Sequence, residues 1–96
     1  MREIIFEWDA AKAAANLRQH RVSFQEALTV FADPLAAIHD DPNHSEEESR
    51  ELIVGSSTTG RLLIVSFTEL AESVRIISAR RLTRRERRDY EESKKT

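Results

Sequence analysis

Val74-Arg75-Ile76-Ile77-Ser78-Ala79-Arg80-Arg81, running on into Leu82-Thr83-Arg84-Arg85-Glu86, is the stretch on which the reading of the fold turns. Its first half is rich in β-branched residues and predicts a strand over Val74 to Ala79. In its second half Thr83 stands three residues before Glu86. That spacing lets a hydroxyl and a carboxylate each satisfy a free backbone amide, so a helix is expected from Arg84 to about Ser93. Apart from Leu82 and Tyr90 this helix has little with which to grip a core. It reads as a surface helix, loosely held or completed by a partner.

Upstream, Leu62 to Thr68 forms another β-rich run, joined to Leu52–Val54 by the turn-forming Ser56-Ser57-Thr58-Thr59-Gly60. Leu35 to His39 reads as a short strand before the polar loop that starts at Asp41-Pro42. The connections are too short for parallel crossovers, so these strands are expected to pair antiparallel. At the other end, Glu3 to Trp8 reads as a first strand, with Asp9 as N-cap of a helix from Ala10 to about Gln19. Ala10, Ala13, Ala14 and Leu17 would form its buried face. Ser23 and Glu26 make a second capping box, ahead of a helix with Phe24, Ala27, Leu28 and Phe31 on one side and Asp33-Pro34 at its end. The order β-α-α-β-β-β-β-α predicts an α+β domain over residues 1–96: an antiparallel sheet, two N-terminal helices packed on one face, and a C-terminal helix. The opposite face is left for a site or a partner.

A chain of 96 residues suits one domain. With no cysteine, thiol chemistry, disulfides and thiolate metal sites are excluded. No charged-then-apolar leader opens the sequence and no apolar run approaches bilayer length, so a soluble, cytoplasmic protein without membrane contact is expected. The net charge of −2 averages two opposed regions. Asp40 to Glu51 is acidic, whereas from Arg75 to Arg88 only Glu86 opposes Arg75, Arg80, Arg81, Arg84, Arg85, Arg87 and Arg88. Such a segment can present a focused cationic surface to phosphate.

Strict strand alternation puts Arg75, Ile77, Ala79 and Arg81 on one face and Val74, Ile76, Ser78 and Arg80 on the other. Arg75 and Arg81 would then lie ~20 Å apart, too far to share one phosphate unless the strand bends. Each guanidinium offers a planar fork matched to phosphate oxygens; the alternative is a solvated strand-end arginine paired with the acidic loop. Arg84 and Arg85 at a helix N-terminus oppose the helix dipole, which favours an external anion such as RNA phosphate there. Glu69 is either a general base or arginine-orienting group, or a turn residue in a surface ion pair. His20 is suited to proton transfer near neutrality or to capping a helix C-terminus, and Lys12 falls on a similar helical face. His39 and His44 flank Asp40 and Asp41, but their spacing is not that of a helical metal motif, and no metal is expected. Tyr90 and Trp8 read chiefly as packing residues.

Phe6-Glu7-Trp8-Asp9-Ala10-Ala11-Lys12, Asn16-Leu17, His20, Val22-Ser23-Phe24-Gln25-Glu26-Ala27, Phe31 and Asp33-Pro34, together with Arg75 to Glu86 and Tyr90-Glu91, resemble the two halves of the BrnT toxin family. Where that family usually has glycine after the histidine, this sequence has Arg21. The resemblance implies a RelE-like endoribonuclease of a type II toxin–antitoxin pair, neutralised by a BrnA-type antitoxin through which alone it would meet DNA. It also implies that Arg75, Arg80, Arg81 and Glu69 lie where the family's charged functional residues cluster, with Lys12 and His20 as further candidates. The expected chemistry is cofactor-free, metal-independent attack of an RNA 2′-hydroxyl on the neighbouring phosphate. Arginines would stabilise the developing charge, and Tyr90 or His20 would protonate the leaving oxygen. The rival reading is a non-catalytic module whose arginine-rich end docks an acidic protein or RNA. No helix-turn-helix signature supports direct DNA binding.

Overall fold

The computed structural model describes residues 3–42 and 49–94. Strand β1 (Phe6–Glu7) leads into α1 (Ala10–His20) and α2 (Phe24–Leu28), which tightens into a 3-10 turn over Thr29–Ala32. Strands β2 (Ala37–Asp40), β3 (Glu51–Ser56), β4 (Leu62–Glu69) and β5 (Val74–Arg81) follow, and α3 (Arg84–Ser93) closes the described chain. The element order is the expected one. The sheet, however, is mixed: its spatial order is β1-β5-β4-β3-β2, and β1 lies parallel to β5 with Phe6 opposite Val74 and Glu7 opposite Arg75. The intervening helices and strands supply the long crossover that a parallel pair needs, and the three pairs from β2 to β5 are antiparallel.

Helices α1 and α2 lie against β5, and the 3-10 turn lies against β3. Under them Val22, Phe24, Ala27 and Val30 meet Ile53, Leu63, Val65, Phe67, Ile76 and Ala79 in one buried core. Each of its fully buried large side chains contributes about 1.5–3 kcal/mol. The short β1 and the residue after it join this core through rings: Phe6 meets Phe31 at 5.1 Å, tilted by 59°, and Phe31 meets Phe67 at 5.0 Å, while Trp8 sits edge-on to Phe24 at 5.9 Å. Gly55 permits the close approach of the segment that follows the 3-10 turn, since a Cβ there would lie 2.8 Å from an Asp33 carboxylate oxygen and 2.9 Å from the Ala36 Cβ.

Asp9 caps α1 as expected, accepting from the Ala11 amide at 2.7 Å and the Lys12 amide at 3.2 Å. The buried face of the helix differs from the expected alanine stripe. Ala10 and Ala14 are exposed and Leu17 is half exposed, while Ala13 and Asn16 turn inward. The reason is a set of hydrogen bonds beyond the reach of β1. Asn16 Nδ2 donates to the Ala79 carbonyl at 2.8 Å and the Val22 carbonyl at 2.9 Å, and Asn16 Oδ1 accepts from the Ala79 amide at 3.0 Å. One side chain thus completes the β5 edge as a neighbouring strand would. Arg21 then ends α1 in the left-handed region, at φ 58°, where a glycine would cost about 1 kcal/mol less.

Ser23 caps α2 through the Glu26 amide at 3.0 Å, but the return bond of a capping box is not made. The Glu26 carboxylate turns instead to the β3–β4 hairpin, where it pairs with Arg61 and accepts from Ser57 Oγ at 2.7 Å and Thr59 Oγ1 at 2.6 Å. The Arg61 guanidinium, burial opposing, and then these hydroxyls hold its pKa down at about 2, against an ordinary 4.5. A depressed carboxylate pKa contributes stability that is complete above the unfolded value and is lost as pH falls through the folded one. The expected result is a melting temperature that drops between about pH 4.5 and pH 2. Glu26→Gln should be less stable at neutral pH and should show a smaller drop across that window; an unchanged acid profile in the variant refutes the assignment.

Candidate functional site

One irregularity decides which side chains share the open face of the sheet. Ser66 and Phe67 are consecutive on β4, yet they pair with Ser78 and Ile76, so Ile77 is an extra residue in β5. A bulge of this kind advances the alternation by one position. Arg75, opposite Thr68, therefore shares the open face with Ser78 and Arg80, while Ile76, Ala79 and Arg81 belong to the helix-covered side. The expectation that Arg75 and Arg81 share a face, with Arg80 on the other, is corrected accordingly.

On that open face lies a cleft of about 540 Å³. Leu52 and Ile64 give it apolar surface, Ser66 and Ser78 face each other across β4 and β5, and His20, Arg50, Arg80 and Glu86 also line it. Asp41 lies buried beside them, its backbone amide donating to the Arg50 carbonyl at 3.0 Å and its carboxylate accepting from Ser66 Oγ at 3.4 Å. His20 reaches the cleft from the last turn of α1, whose end is fixed by the Arg21 cap.

Arg80 is held by Glu86 in a two-pronged pair, Nη1 to Oε1 at 2.8 Å and Nη2 to Oε2 at 3.0 Å, and Nη1 also donates to the Arg81 carbonyl at 3.2 Å. Glu86 is fixed in turn, because it closes the expected capping box by accepting from the Thr83 amide at 2.8 Å. The Arg80 guanidinium first, then that amide, hold the Glu86 carboxyl near 2. The same pair raises the Arg80 pKa above its already high value. A guanidinium has five N–H groups, so among the described residues Nε–H and one Nη2–H of Arg80 remain for an anion.

The other expected residues are dispersed. Arg75 is exposed at the far end of the open face and paired with Glu7, through Nε and Nη2 each at 3.2 Å. Glu69 stands opposite Val74, so it leaves the sheet on the face away from Arg75, and Glu7 takes the orienting place expected of it. Arg81 lies with Arg61 and Arg87 beside the β3–β4 hairpin. Arg84 and Arg85 are exposed on α3. Lys12 is exposed at the opposite end of α1 from His20 and does not line the cleft. Tyr90 is half-buried beneath α3, its hydroxyl donating to the Leu35 carbonyl at 3.3 Å; burial, then Asp33, raises its pKa. His39 and Asp40 project from opposite faces of β2 and His44 lies outside the described residues, among which no cluster of metal-ligating side chains occurs. No helix of the described residues is long and apolar enough to cross a membrane.

Sequence reasoning missed Asp41, Arg50, Ser66, Ser78 and Glu86 as cleft residues. The usable signal was a serine amid apolar neighbours on each of two strands, Ser66 between Val65 and Phe67 and Ser78 between Ile77 and Ala79.

The fold is that of a small ribonuclease toxin: the 1.1 Å crystal structure of the Brucella abortus ribonuclease toxin BrnT matches it with a TM-score of 0.63 at 16% sequence identity, over 85% of this chain and 100% of that one. The family described as "Ribonuclease toxin, BrnT, of type II toxin-antitoxin system" matches residues 8–86, and the chain belongs to that family. Membership implies an antitoxin protein as partner and RNA as target. No curated protein sequence matches the chain.

Proposed function

We propose that this chain is a RelE-like, metal-independent endoribonuclease whose reaction takes place in the open-face cleft, and that a BrnA-type antitoxin silences it. The observation that carries this reading is Arg80, fixed by Glu86 with two N–H groups that bond to nothing among the described residues, in the same cleft as His20. The RNA supplies its own nucleophile. Its 2′-hydroxyl attacks the adjacent phosphorus, a cyclic phosphate forms, and the bond to the 5′-oxygen of the next nucleotide breaks. Arg80 and Arg50 stabilise the charge on the non-bridging oxygens, a preorganised electrostatic effect that needs no metal. His20, which lines the cleft from the end of α1, moves the proton of the attacking or leaving oxygen. Arg75 contacts a neighbouring phosphate further along the same face, and Arg84 and Arg85 contact RNA beyond the cleft, where oriented cations add affinity without base specificity.

The test is purified chain, freed of any antitoxin, incubated with single-stranded RNA in EDTA. Fragments ending in 2′,3′-cyclic phosphate are expected, and their yield should fall when His20 is replaced by alanine. Intact RNA after incubation with folded protein that still binds it supports the rival, a docking module without chemistry.

A further inference from the structure

Helix α3 turns a polar face to the sheet. Glu86, Asp89, Tyr90 and Ser93 recur at the three- and four-residue intervals of one helical side, and that side looks onto Val54 and Ile64. An inward helical face normally carries the apolar stripe that fills the space beneath it. Here the space is a cavity of about 310 Å³, floored by Val54, Ile64 and Leu82 and walled by His39, Tyr90 and Asp89. It is contiguous with the cleft, because Ile64 and Glu86 line both.

We propose that this cavity is a nucleobase subsite with a preference for guanine, filled by the base next to the phosphate held in the cleft; the adjacency to that phosphate rests on the function proposed above. Its make-up is that of a small-molecule site, apolar walls with a few placed polar groups in a volume within the usual range of ~300–1,000 Å³. A base is a flat apolar slab with a polar rim, and single-stranded RNA is read by stacking such bases on aromatic side chains and bonding to their edges. Tyr90 supplies the ring. Its hydroxyl is anchored on the Leu35 carbonyl, and the Lys94 ammonium, bound to the same carbonyl, lies over the ring 5.0 Å from its centroid.

The choice among bases follows from the carboxylates. Glu86 is committed to Arg80 and the Thr83 amide, whereas the Asp89 carboxylate forms no ion pair among the described residues. A carboxylate only accepts, and its two oxygens match two adjacent donors. Guanine alone among the four bases presents such a pair, N1–H and the N2 amino group, on its Watson–Crick edge. Adenine, cytosine and uracil offer a single donor group there, flanked by acceptors that the carboxylate repels. A good two-point contact is worth about tenfold in discrimination.

The deciding experiment follows backbone amide resonances of the whole chain during titration with each free nucleoside and, separately, with inorganic phosphate. Guanosine is expected to shift Val54, Ile64, Leu82 and Tyr90 and to bind about tenfold more tightly than the other three nucleosides. Asp89→Asn should erase that preference while leaving the remaining spectrum and the response to phosphate in place. Equal binding of all four nucleosides, no shifts beneath α3, or a preference that survives Asp89→Asn each overturns the subsite. Phosphate reports on the cleft by itself: shifts at Ser66, Ser78 and Arg80 are expected. If they are absent while guanosine still binds under α3, the cleavage reading fails and the base subsite stands.

Discussion

Arg80→Ala is expected to lower RNA cleavage by roughly 10²–10³-fold, the usual cost of removing one oriented donor to a developing oxyanion. Arg81→Ala should leave the rate nearly unchanged. The two arginines are neighbours in sequence but leave β5 on opposite faces: Arg80 lines the cleft and Arg81 sits beside the hairpin that carries Arg61. Because Arg80 also neutralises Glu86, its loss strands a carboxylate, so melting temperatures must accompany the rates. Arg80→Lys separates the effects. It keeps a positive charge near Glu86 but loses the planar fork, so stability should largely return while activity stays low. Equal damage from Arg80→Ala and Arg81→Ala, measured as initial rates on one RNA, would discard the face assignment.

Asn16→Ala should destabilise the fold by about 3 kcal/mol, because it breaks three buried hydrogen bonds at once and leaves the Ala79 amide and carbonyl on an unfilled strand edge. For a domain of this size that corresponds to a melting temperature lower by more than about 10 °C. Asn16→Asp retains an acceptor for the Ala79 amide and loses both donors, so an intermediate or larger loss is expected as its charge becomes buried. The control is Leu17→Ala, which removes a larger apolar group from the same helix but at a position 49% exposed. If Leu17→Ala unfolds in urea as readily as Asn16→Ala, the edge-sealing role is wrong.

Element order was legible because each signal was local. Asp9, Ser23 and Thr83 announced three helix starts, and each accepts a hydrogen bond from the first turn of its helix. What the sequence could not show were long-range choices made by a few atoms. The partner of Glu26 was taken to be its own helix, three residues away, but it lies 35 residues on at Arg61, which offers a stronger, charged donor. Leu17 was expected on the buried face, as hydrophobicity alone dictates; Asn16 is buried instead, because its amide satisfies backbone groups that no strand covers. The parallel β1–β5 pair was hidden for a similar reason, since a two-residue strand carries too little pattern to reveal its partner. The site suffered most, because the bulge at Ile77 inverts the parity that relates the face of Arg75 to those of Arg80 and Arg81.

The Glu86 carboxylate has two allegiances: it caps α3 through the Thr83 amide, and it is the counterion of Arg80. Helix fraying and cleft charge are consequently linked variables. Unwinding the first turn of α3 releases a carboxylate and leaves Arg80 with its full electrostatic pull, while an anion that draws Arg80 away weakens the start of the helix by the same free energy. Whatever grips α3 therefore tunes, at one remove, how strongly the cleft attracts phosphate.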